Sequence, residues 1–166
     1  MKAMRIHTLS LLVAAAAATA AFAPAALAAE AGHSHDAAAP SKLSLDHGKQ
    51  WATDATLRGG MTRIRDLAAG GIEVVHAGKM TAAQYAALAQ KVELQVANIV
   101  ANCKLEPQAD AMLHLVIADL GAGTEAMAGK APKVQPEKGL LRVAAAVNDY
   151  GRFFDHPGFK PVRTGH

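Results

Sequence analysis

Met61, Cys103 and His114 are the side chains of this chain best suited to coordination chemistry: a thioether, a thiol and an imidazole. Soft sulfur ligands together with imidazole suit copper, above all Cu(I). Cys103 is the only cysteine, so an intramolecular disulfide is excluded. Its thiol is then buried and inert, paired with another chain, or a metal ligand. Asp110 stands four residues before His114, on the same helix face, where it can orient the imidazole or sit as a solvated neighbour. His47 and His156 flank the patterned region and can complete a metal shell. Each residue also has a plainer role. A methionine or cysteine in phase with an apolar stripe is commonly core filler. His114 lies about 100° around its helix from Leu113 and Leu115, which marks a boundary position. The His33-Ser34-His35-Asp36 run is a low-specificity metal-catching pattern.

Four segments with helical spacing must position these residues. Leu57, Met61, Ile64, Ala68, Ile72 and Val75 repeat at steps of three and four, which predicts a helix from about Asp54 to His76 with Asp54 as its N-cap. Gly70-Gly71 keeps the phase but lowers propensity, so a kink or weak point is expected there. Thr81-Ala82-Ala83-Gln84 has the form of a capping box and opens a second helix, with Tyr85, Leu88, Val92, Val96, Ile99 and Cys103 on one stripe. Pro107 opens a third, which runs to near Gly129 with Leu113, Val116, Ile117, Leu120 and Met127 inward. A fourth begins at Pro136-Glu137, carries Leu140, Val143, Val147, Tyr150 and Phe154, and stops before Pro157.

No segment sustains a period-two alternation. The fold class expected is all-α, an antiparallel up-down-up-down four-helix bundle. In that topology the start of the first helix, the end of the second, the start of the third and the end of the fourth share one pole. Met61 and His114 each fall seven residues into their helices, about 10 Å above that pole. Cys103 lies one level nearer to it, Tyr150 closes the layer, and His47, Trp51 and His156 flank it. A bundle interior is a usual place for a metal site. His76 and Met80 belong to the opposite pole.

The ends carry a different signal. Lys2 and Arg5 precede an apolar run from Leu9 to Ala23, which closes on Ala26-Leu27-Ala28. This is the pattern of a cleaved signal peptide over residues 1–28, and it implies export to the periplasm. The run is shorter than a bilayer span and Pro24 interrupts it, so no membrane span is expected in the mature protein. Residues 29–50 read as a disordered leader, 51–156 as the bundle, and 157–166 as a C-terminal tail. Cleavage leaves 15 basic against 14 acidic residues, a nearly neutral chain without the basic face that nucleic acid needs. There is no nucleophilic triad motif, phosphate loop or His-Glu-x-x-His motif, so no enzyme is expected.

The pattern resembles the periplasmic cytochromes built on a four-helix bundle with non-covalent haem b. Met61 matches their first-helix axial methionine. Asn148-Asp149-Tyr150-Gly151 stands where that family has Asn-x-Tyr-His, so Gly151 occupies the place of the axial histidine, and the Cys-x-x-Cys-His motif of the covalent relatives is absent. The segments Trp51–Met61 and Asn102–Pro107 also resemble an uncharacterised family of secreted bacterial helical proteins. The function expected is therefore a non-enzymatic periplasmic bundle that binds a copper-like transition metal through Met61, Cys103, His114, His47 and His156. The alternatives are a haem-binding electron-transfer protein, which is what the cytochrome resemblance implies, and a structural or interaction protein with an unknown protein partner and no small ligand.

Overall fold

The computed structural model describes residues 40–78 and 80–165; the signal peptide expected over residues 1–28 and residues 29–39 of the expected leader lie outside them. Four helices follow one another: α1 (Ala55–Ala77), α2 (Ala82–Asn102), α3 (Pro107–Met127) and α4 (Pro136–Phe153). Each begins at a local start signal, a side-chain cap in α1 and α2 and a first-turn proline in α3 and α4. Asp54 Oδ1 accepts from Leu57 N at 2.7 Å to cap α1. Thr81 and Gln84 form the reciprocal capping box that opens α2. Pro107 and Pro136 stand at the first turns of α3 and α4, where the missing N–H costs nothing.

Each helix packs on the next and α1 also packs on α4, which closes the bundle. The interior is built from the anticipated stripes. Leu57, Met61 and Ile64 of α1, Val92 and Ile99 of α2, Val116 and Leu120 of α3, and Val143, Val147 and Tyr150 of α4 are fully buried. Val75, Val96 and Ile117 are only half-buried, at the ends or edges of their stripes. The closest approach is between α3 and α4, where a Cβ on Gly139 would lie 2.5 Å from the Gly123 carbonyl oxygen. α1 runs through Gly70-Gly71 as one element. Gly71 is a contact residue: a Cβ there would meet Leu88 Cδ2 at 2.6 Å. Among the described residues no helix is long and apolar enough to cross a membrane.

The antiparallel order brings the expected ends together. Asp54 Oδ2 accepts from Lys104 N at 2.7 Å, tying the start of α1 to the end of α2. Trp51 N donates to Phe153 O and Asp155 N donates to Trp51 O, both at 2.8 Å, tying the approach to α1 to the end of α4.

Two segments expected to be loose are packed onto the bundle. In the stretch assigned to the leader, Asp46 and Lys49 exchange backbone hydrogen bonds at 2.8 Å around a turn with His47 and Gly48 at positive φ. The buried Trp51 then donates its indole N–H to Ser44 O at 2.7 Å, and Leu43 packs on the core. At the other end, Val162 is buried, and Asn148 brackets its backbone with bonds of 2.7 and 3.0 Å. Composition gave no sign of either, because a few anchors outside any periodic pattern, Leu43 and Trp51 at one end and Phe159 and Val162 at the other, hold each short irregular stretch.

Candidate functional site

Tyr150 is the centre of the shared pole. α4 buries it completely, and its hydroxyl meets His156 Nδ1 at 2.9 Å. Phe154 stacks on its ring at 5.2 Å between centroids, and Phe159 meets it edge-on at 5.1 Å. Burial pushes the Tyr150 hydroxyl pKa well above its ordinary value. Burial also holds His156 below the ordinary imidazole value, helped by the positive charges of Arg58 and Arg65 and opposed by Asp155. The lowered pKa favours the neutral imidazole as the hydrogen-bond partner of Tyr150, and the ring is seated against Phe159.

Cys103 caps the end of α2, its N–H donating to Ile99 O at 2.8 Å, and its thiol is half-buried. Burial, then the negative charges of Asp54 and Asp110, raise its pKa. Asp110 also faces His114: the imidazole Nδ1 lies 2.9 Å from the Asp110 carbonyl oxygen and 3.4 Å from Oδ2. Cys103 and His114 therefore share the field of one carboxylate. The imidazole itself stands in solvent, its side chain 61% exposed.

The other nominated ligands go elsewhere. Met61 is fully enclosed in the core. His47 sits at the tip of the Asp46–Lys49 turn with its side chain 96% exposed. His156 is engaged with Tyr150. Among the described residues no group of three or more His, Cys, Asp or Glu side chains is assembled to hold a metal ion. The cysteine and three histidines thus lie around one pole without forming a shell. Met112 of α3 is buried and takes a long contact of 3.9 Å from the Ser44 hydroxyl.

Gly151, at the place of the axial histidine, is covered by Phe159, whose Cδ1 would lie 2.8 Å from a Cβ there. Tyr150 and Phe154 fill the adjoining layer.

Sequence spacing missed a surface on α2. Leu94 is 67% exposed and Val100 57% exposed, with Ala97 exposed between them. A groove of about 460 Å³ flanks Leu94 and is walled by Leu67 and Gln95, with Arg63, Asp66 and Lys91 as its charged rim. Another of about 380 Å³ flanks Val100 and is walled by Val96, Ala97, Ala101 and Gly121, with Glu93 and Thr124 at its edge. The available signal was the absence of any charged residue from Leu94 to Asn102, which is unusual for an outward helix face.

No protein-family model, curated protein or solved structure matches the chain.

Proposed function

We propose that this chain is an exported, non-enzymatic bundle protein that works through protein–protein contact, with the outer face of α2 as the contact surface and a second copy of the chain as its occupant. The observation that carries this reading is the uncharged stretch Leu94–Asn102 with Leu94 and Val100 exposed. Single exposed apolar residues are ordinary, but a contiguous apolar patch marks an interaction surface. Leu94 and Val100 stand three residues before and after Ala97, about 60° to either side of it around the helix. Two such helices crossing antiparallel at Ala97 bring Leu94 of each copy level with Val100 of the other, and the small alanine allows close approach. Lys91 and Glu93, the charges of α2, are then kept at least about 12 Å along the axis from their own copies, so like charges do not oppose the contact.

Sedimentation equilibrium from micromolar to millimolar concentration tests this. The expected result is a dimer that Leu94→Glu or Val100→Glu converts to a folded monomer. An Ala97→Cys change in a Cys103→Ser background should give an oxidised covalent dimer. A monomer throughout, or a dimer indifferent to both glutamates, overturns the reading.

A second reading, uptake of a copper-like ion, is favoured by one observation: Asp110 lies beside His114 and acts electrostatically on Cys103. A cation there would reverse the repulsion between the thiolate and the two carboxylates. It would also require Cys103 and His114 to turn toward each other. Titration with Cu(I), beside Cys103→Ala and His114→Ala, decides it; equal affinity in all three proteins removes the site.

A further inference from the structure

The C-terminal strap lays positive charge against α1. Lys160 and Arg163, on the strap, and Arg65, on α1, line one groove of about 400 Å³. The strap holds this arrangement because Asn148 grips Val162, between the two strap cations, from both backbone sides. Glu73 is the one carboxylate lining the groove, which leaves the positive charges in excess. Among the described residues no ion pair joins Lys160 or Arg163 to a carboxylate. Arg65 bonds the neighbouring Asp66 at 3.0 Å, yet its buried Nε has no hydrogen-bond partner. A buried donor left unpaired is costly, and gathering like charges adds to that cost. Ile72 and Pro161 supply an apolar wall beside the charges.

From this juxtaposition of Arg65, Lys160 and Arg163 beside an apolar wall, we propose that the groove between α1 and the C-terminal strap binds a small organic anion, a carboxylate or phosphate on a short apolar body. A guanidinium takes such a group by two parallel charge-assisted hydrogen bonds, and a lysine adds a point charge. The apolar body lies along Ile72 and Pro161, so anions lacking it bind more weakly. The bound anion would neutralise the excess charge that Arg65 already projects toward His156. This site is independent of the α2 contact and of any metal at the pole.

Calorimetric titration with phenyl phosphate, benzoate, inorganic phosphate and phenol tests the proposal, with thermal denaturation alongside. The expected order is phenyl phosphate and benzoate above inorganic phosphate, with no binding of neutral phenol. A ligand of the folded state must also raise the melting temperature. Arg163→Gln and Lys160→Gln, both at exposed positions, should each weaken phenyl phosphate by about tenfold while the protein stays folded. Lys91→Gln, outside the groove, should leave it unchanged. No heat with either organic anion, or equal weakening by Lys91→Gln, overturns the proposal. Binding of phenyl phosphate and phenol alike would overturn it as well, since the charges would then play no part.

Discussion

Asp54 joins two helices with one carboxylate: Oδ1 accepts from Leu57 N and Oδ2 accepts from Lys104 N, both at 2.7 Å. The residue is therefore at once the N-cap of α1 and the tie between that helix and the α2–α3 connection. Asp54→Ala removes both bonds and leaves two backbone donors without their partner, so it should cost about 1–3 kcal/mol. Asp54→Asn keeps an oxygen for the cap but offers an amide to Lys104 N, and should fall between. Urea denaturation of the three proteins measures this.

Gly139 and Gly70 should respond to alanine with opposite signs. Gly139 lies where a Cβ would be 2.5 Å from one backbone oxygen and 2.7 Å from the Met127 nitrogen of α3. Backbone cannot swing aside, so α3 and α4 must separate, at a cost of about 1–3 kcal/mol. A Cβ on Gly70 meets nothing within 4 Å, and the better helix propensity of alanine should stabilise α1 by about 0.5–1 kcal/mol. Thermal melts of Gly139→Ala and Gly70→Ala give both signs.

His156 makes stability depend on pH. Its folded pKa is depressed by burial, then by Arg58 and Arg65, so the unfolded chain binds its proton more readily than the folded one. Stability from this group is fully present above the unfolded imidazole value of about 6.5 and is lost as pH falls through the lower folded value. Protonation sets a cation beside Arg58 and Arg65 and against the rings of Tyr150 and Phe159. Denaturation midpoints should therefore decline below about pH 6.5. His156→Gln should lower stability at neutral pH yet flatten that decline. An equal decline in both proteins would assign the slope elsewhere.

Cys103 should be a sluggish nucleophile. Burial first, then Asp54 and Asp110, hold its pKa up and keep the thiolate scarce at neutral pH. Reaction with a disulfide reagent should rise with pH above the ordinary thiol range. Asp110→Asn should move that profile toward lower pH without unfolding the protein. A profile typical of a free thiol in the unaltered protein would contradict the half-buried position.

Much of the fold was legible in order. The steps of three and four that mark Leu57 to Ile72 or Leu140 to Phe154 are local consequences of helix geometry, and the start signals at Asp54, Thr81, Pro107 and Pro136 are local too. Short connections then made antiparallel neighbours the natural packing. The same logic placed Cys103, His114 and His156 at one pole, because helix order and register suffice for that. It could not say whether their side chains meet. Met61 lies inside while the His114 imidazole lies outside, and rotation about a helix axis is fixed by the neighbours it packs against.

By itself, the sequence determined where the helices begin and which stripe of each is apolar, since those follow from interactions within a few residues, and apolar stripes with short connections made a closed bundle the packing to expect. Only tertiary structure decided that Tyr150 pairs with His156, that Trp51 and Val162 fasten stretches with no periodic pattern, and that Arg65 lines one groove with the cations of the strap. Those contacts join residues far apart along the chain or outside any repeat, and their partners are chosen by the packing of the whole bundle.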